Sequence, residues 1–182
     1  HFNIQTAVTV CREFFHRKLP TNFLTHCQQG IENCHIPGRF EKISDCPALY
    51  IDSAHTPDSY ILLFDTIRQD FNDKPVIFVA GISQGRDNQL LAENLLSLGQ
   101  KIIVSKATFK GADPQTLLTT LKDNNSQGKT LHLEDNLARA ITQAKQQAQS
   151  IDGRIFVVGG LFLAGEAAAI EKGLDLAGLY LY

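Results

Sequence analysis

The 182-residue sequence contains no methionine. The chain therefore lacks a start of its own, which leads us to expect a fragment or excised domain, with any shared active site only half visible. No apolar run approaches the ~20 residues a membrane helix needs, and no segment has the form of a signal peptide. Charge of one sign is lacking too. The net charge is −2 with 20% charged residues, so nothing marks a nucleic-acid or membrane partner. The cysteines are few: Cys11, Cys27, Cys34 and Cys46, with no pair spaced Cys-x-x-Cys. Cys27 and Cys34 beside His26 and His35 match no common zinc spacing, so free thiols in a cytoplasmic protein are expected and no metal site. There is no Gly-x-Ser-x-Gly elbow, no His-Glu-x-x-His and no Gly-x-Gly-x-x-Gly. The last absence argues against a nicotinamide dehydrogenase. Repeats and low-complexity tracts are absent as well.

The length suits one domain with an appendage, and 43% hydrophobic residues can fill a core. Ala7, Val10, Cys11, Phe14 and Phe15 fall at helical spacing and predict a helix over 5–17, limited by Pro20. Leu24, Cys27 and Ile31 continue a weaker helical pattern to about Asn33. A break follows at His35-Ile-Pro-Gly38. Strands predicted over 39–44 and 48–52 flank the turn Asp45-Cys-Pro47.

Beyond Asp52, helical and strand periods alternate. Helices are predicted over 58–71, 87–98, 114–122, 134–149 and 163–172. Strands are predicted over 75–80, 101–105, 130–133 and 154–158. Pro75–Ala80 is continuously apolar, as in a strand covered on both faces. Such alternation predicts an α/β, Rossmann-like fold: a mostly parallel six-stranded sheet with helices on both faces. Residues 173–182 are apolar and unassigned.

In a parallel sheet the carboxyl ends of the strands share one edge, where ligands bind. Four turns fall there: Asp52-Ser-Ala-His55, Gly81–Asp87, Ser105-Lys106 and Gly159-Gly160. Asp52 suits either a turn cap or a ligand's hydroxyls. His55 suits either a half-buried structural role or contact with a base, carboxylate or phosphate. Thr56 before Pro57 reads as a helix N-cap. Arg39, after Pro-Gly, suits an anion or solvent. Arg86 and Asp87 suit a ligand or a surface pair. Gly128-Lys129-Thr130 imitates the end of a phosphate loop. It lacks the glycine five residues earlier, where Asp123 stands, and it precedes a strand instead of following one.

Pro37-Gly38-Arg39-Phe40-Glu41, followed by Asp52-Ser-Ala-His-Thr-Pro57, resembles the C-terminal domain of the Mur ligase superfamily. Gly81 through Arg86-Asp87 and Val157–Leu163 are similar to the folylpolyglutamate synthase/dihydrofolate synthase branch. The resemblance runs over residues 36–172. It implies that 1–35 is a helical segment from a preceding central domain or linker, and that 36–182 is the C-terminal, glutamate ligase domain. It also implies ATP, with Mg2+ bound mainly by an ATPase domain N-terminal to this one, a folate-type or muramoyl-type acceptor, and an amino acid. By the resemblance, the acceptor's carboxylate is activated as an acyl phosphate and attacked by the amine, which the likeness to the folate branch makes glutamate's. The matching residues imply His55 as catalytic. Arg39, Asp52, Arg86 and Asp87 would serve nucleotide binding, and Ser53, Thr56 and Gly160 the amino acid. Three positions depart from the pattern. Gly85 replaces an Asp, Thr56 replaces the Asn and is the form muramoyl ligases use, and Gly160 replaces a Ser that helps bind glutamate. A UDP-muramoyl peptide ligase and a non-catalytic α/β binding module therefore stay open as alternatives.

Overall fold

A computed structural model describes residues 2–15 and 21–179. The chain divides into two compact units, His1–Ile36 and Pro37–Tyr182. The first contains helices α1 (Phe2–Phe14) and α2 (Phe23–Glu32). The predicted helix over 5–17 is observed to Phe14; its last two positions and Pro20 lie outside the described residues. No residue of α2 is buried. Within this unit Ala7, Cys11, Phe15, Cys27 and Ile31 line an apolar groove of about 750 Å³. All four cysteines are free thiols.

The second unit is a six-stranded sheet with helices on both faces. Its strands are β1 (Glu41–Asp45), β2 (Ala48–Ile51), β3 (Val76–Ala80), β4 (Lys101–Val104), β5 (Thr130–Leu133) and β6 (Arg154–Val158). They lie in the order β1-β2-β6-β3-β4-β5. Only β1 runs antiparallel, paired with β2 across the Cys46-Pro47 turn. β3 is buried along its whole length, which explains its unbroken apolar run.

Helices α3 (Pro57–Asp70), α4 (Gln89–Leu98) and α5 (Pro114–Asn124) cover one face. Phe64, Phe78, Leu91, Leu95 and Phe156 fill the core beneath them. Helices α6 (Leu137–Ile151) and α7 (Leu161–Glu171) cover the other. There Ile77, Val79, Ile103, Ile155 and Val157 meet Ala140, Ala144 and Ala167. Small alanines let α6 approach the sheet closely.

The helix starts follow local capping rather than hydrophobic period, and here the predicted boundaries move. α4 was expected from Asp87, but the Asp87 carboxylate accepts the Gln89 amide in a turn before the helix. α6 was expected from Glu134. It begins at Leu137 because Asn136 is the cap, accepting the Arg139 amide. α7 begins two residues earlier than expected, directly after Gly160. β1 begins at Glu41, since Arg39 and Phe40 belong to a turn in which Phe40 has a φ of 45°. The segment after α7 forms a short 3₁₀ turn, Leu176–Gly178; residues 180–182 of the unassigned tail lie outside the described residues.

Neighbouring strands β3 and β6 send the chain in opposite directions. From β3 it proceeds through α4 to β4, whereas α7 leaves β6 and packs back over β2 and β1. The carboxyl ends of this divergent pair mark the crevice where doubly wound sheets bind ligands.

Candidate functional site

The first wall of the site is built around Asp52, at the end of β2. Its side chain is buried. One carboxylate oxygen accepts the Ala54 amide at 2.7 Å and the other the Phe40 amide at 2.8 Å. The Ser53 amide donates to the Gly38 carbonyl at 2.9 Å, and the Gly38 amide donates to Glu41 at 2.7 Å. The Pro-Gly-Arg turn is thereby stapled to the strand end, and Arg39 stands exposed on it. Both readings of Asp52 thus start from a structural bond: the carboxylate caps two amides, and each oxygen keeps one lone pair.

His55 follows. Its Nδ1 lies 2.9 Å from the Ser53 carbonyl oxygen. A carbonyl can only accept, so Nδ1 carries the hydrogen and Nε2 is the ring atom available to a ligand. Thr56 closes a reciprocal capping box at the head of α3. Its hydroxyl accepts from the Ser59 amide, and the Ser59 hydroxyl accepts the Thr56 amide at 2.9 Å. That box satisfies amides a helix start leaves open and fixes the backbone that carries His55.

At the mouth of the crevice lies a cavity of about 420 Å³. His55 lines it from the β2 end, Ser83, Gln84 and Arg86 from the β3 loop, and Leu161 and Phe162 from the head of α7. Lys110, from the loop after β4, completes the lining. Neither Arg86 nor Lys110 pairs with a carboxylate among the described residues. Instead the Lys110 ammonium lies 5.1 Å from the Phe109 ring centre and 5.7 Å from that of Phe162. Two unpaired cations and one imidazole around a half-open cavity suit an anionic ligand. Among the described residues no three His, Cys, Asp or Glu side chains gather as a metal site.

The strand ends that carry these loops meet through main chain. A Cβ on Gly159 would stand 1.7 Å from the Gly81 carbonyl oxygen, so the β3 and β6 loops meet with no room for a side chain. The β3 loop is also tied to the β4 loop. Ser83 bridges Gly111, and the Gln84 amide donates to the Lys110 carbonyl at 3.1 Å. Gly85 turns this loop with a φ of 74°, a left-handed position that suits glycine better than the aspartate of the family pattern. The α3 residue Tyr60 is buried, and its hydroxyl has no hydrogen-bond partner among the described residues. Burial pushes its phenol up to about 12, with Arg86 lowering and Asp87 raising it.

Of the residues singled out from the sequence, the cavity brings together His55 and Arg86. Gly160 adjoins it: a Cβ there would lie 3.0 Å from the Ser83 hydroxyl. Arg39, Asp52, Ser53, Thr56 and Asp87 do not line it. Sequence reasoning missed Ser83, Gln84, Lys110 and Phe162 as individual residues. A signal for Lys110 exists: the loop over 105–113 is longer than the usual connection between strand and helix, and binding residues concentrate on loops held by a rigid scaffold. Gly128-Lys129-Thr130 lies at the amino end of β5, away from this edge.

Residues 38–161 match the family model described as Mur ligase, glutamate ligase domain. The chain belongs to the Mur ligase family. Relatives of two kinds share it. The folylpolyglutamate synthase of Lacticaseibacillus casei is 36% identical over 92 residues, covering 50% of this chain and 20% of that protein. The UDP-N-acetylmuramoyl-L-alanyl-D-glutamate--2,6-diaminopimelate ligase of Oceanobacillus iheyensis is 28% identical over 155 residues, covering 80% of this chain and 31% of that ligase. The fold matches that of the Mycobacterium tuberculosis folylpolyglutamate synthase complexed with ADP and AMPPCP. The TM-score is 0.77 at 21% identity, over 90% of this chain and 38% of that one. This chain thus spans well under half the length of the Mur ligase relatives it matches.

Proposed function

We propose that residues 37–182 form the amino-acid-binding lid of an ATP-dependent amide-forming ligase. The cavity with Arg86, Lys110 and His55 at the divergent strand ends carries this reading. Two cations fit an amino acid bearing more than one carboxylate, and glutamate added to a folate-type acceptor meets that demand. ATP, when bound, supplies the phosphoryl group that activates the acceptor's carboxylate. Arg39, exposed on its stapled turn, and Asp52, with a lone pair on each oxygen, are the residues that would hold the nucleotide. The sequence carries no phosphate loop, so the phosphates and Mg2+ fall to a separate ATPase domain N-terminal to this one. The location is the cytoplasm, where ATP is available.

Arg86, which the resemblance alone assigns to the nucleotide, lines the cavity with Lys110, and in this reading the two hold the incoming amino acid by its carboxylates. An ammonium group is not a nucleophile, and Nε2 of His55, left open by the Nδ1 bond to Ser53, takes the proton that must leave the amine. Closure of the lid excludes water from the activated acceptor.

A second reading keeps the same chemistry on a UDP-muramoyl peptide acceptor. The long match to the diaminopimelate ligase of Oceanobacillus iheyensis favours it. The full-length protein decides the matter through ATP hydrolysis, assayed with glutamate plus a folate-type acceptor and with a diamino acid plus a muramoyl-peptide acceptor. Hydrolysis that requires both members of one pair supports the ligase and names the branch. Hydrolysis unaffected by any amino acid overturns it and leaves a binding module.

A further inference from the structure

Glu166 is fully buried in α7. It is the single charged residue between Ile155 and Ile170. A glutamate in such a setting requires hydrogen-bond donors. Two of them come from the loop after β4: one carboxylate oxygen accepts the Thr108 amide at 2.8 Å and the other the Phe109 amide at 2.9 Å. The next residue is Lys110, whose backbone takes a φ of 53°. That conformation is uncommon for a side-chain-bearing residue and persists where the surroundings hold it. Beyond Lys110 the loop is held again by the bridge from Gly111 to Ser83. Lys110 is therefore clamped on both sides, by a carboxylate before it and by the β3 loop after it. The Phe109 ring meets the Phe162 ring edge-on at 5.0 Å, which seats the Lys110 ammonium over both aromatic faces.

We infer that Glu166 is a positioning residue for substrate binding: it touches no ligand, and by fixing two consecutive backbone amides it aims Lys110 into the cavity. This rests on the proposed role of the cavity in binding the amino acid. A carboxylate suits the task because both of its oxygens accept. In Glu166→Gln one oxygen becomes an amino group that faces an amide donor. One of the two bonds is lost while the shape is kept.

The test uses the full-length ligase and five forms: wild type, Glu166→Gln, Glu166→Asp, Lys110→Ala and the double variant of Glu166→Gln with Lys110→Ala. Glu166→Gln is expected to raise KM for the amino acid about tenfold and to leave KM for ATP and for the acceptor within twofold. In the Lys110→Ala background it should change the amino-acid KM by less than twofold, because the residue it aims is gone. If Lys110→Ala raises that KM and Glu166→Gln does not, the positioning role is overturned and the cavity reading stands. If Lys110→Ala leaves it unchanged, the cavity reading falls, and this inference with it. Equal losses for all three substrates would mark Glu166 as merely structural. Glu166→Asp keeps the charge on a shorter arm; if it and the Gln variant both fail to fold, the inference is likewise overturned.

Discussion

The Asp52 carboxylate holds the Phe40 amide at 2.8 Å across twelve residues of chain. That bond, with its partner at Ala54, gives Phe40 the support for its positive φ and fixes the turn bearing Arg39. Asp52→Ala leaves two amides without their acceptor, each loss costing about 1–3 kcal/mol. We expect chemical denaturation to show a stability loss of about 3 kcal/mol. An unchanged midpoint would mean that the turn holds without the carboxylate.

His55→Ala removes the ring atom proposed to take the amine's proton. In the full-length protein, the proposed turnover dependent on acceptor and amino acid should fall at least about tenfold, the low end for loss of a general base. Stability should change little, since the Thr56–Ser59 capping box that starts α3 is untouched. Unaltered turnover would remove His55 from the mechanism.

Tyr60 has a buried hydroxyl with no partner among the described residues. Tyr60→Phe deletes that group and should raise the melting temperature by about 2–4 °C, equivalent to about 1 kcal/mol. The same residue gives a signed pH effect. Its phenol ionises near 10 when unfolded and at about 12 when folded. Between those values the unfolded chain has released a proton that the folded chain keeps, so stability falls as pH rises. Denaturation measured at pH 9, 10 and 11 should show this fall in the wild type and a shallower one in Tyr60→Phe. Parallel curves would refute it.

Gly159→Ala drives a methyl into the Gly81 carbonyl oxygen, 1.7 Å away, at a φ of 119°. Neither backbone can retreat without breaking the β3–β6 ladder. A loss above about 4 kcal/mol is expected, seen as insoluble expression or a collapsed melting transition. A variant as stable as wild type would show that the two loops separate freely.

Much of this architecture was legible in the sequence. The apolar runs at 76–80, 102–104 and 155–158 announced buried parallel strands, and the alternation of periods announced the sheet with two covered faces. Boundaries were less legible, because caps such as Asn136 and turn-formers such as Asp87 decide where helices begin, and hydrophobic period is blind to both. In the site, His55 and Arg86 were readable because they sit at strand ends within recognisable motifs. Lys110 was not, since its place depends on a loop path set by Glu166, nearly sixty residues further along. Glu166 itself left a trace, a lone charge in an apolar stretch, whose meaning appears only when α7 is laid against the β4 loop.

The contact of Gly159 with Gly81 and the bridge of Ser83 to Gly111 have a thermodynamic consequence. Three loops from three strands are joined through main chain before any ligand arrives. Binding therefore spends little entropy on ordering backbone, which otherwise costs about 1–2 kcal/mol per residue fixed. What remains is the freezing of a few long side chains, Arg86 and Lys110 foremost, at about 0.5–1.5 kcal/mol each. If the cavity holds the anion proposed for it, the rotamers of its rim govern affinity, and substitutions there retune which anion fits while the scaffold beneath stays the same.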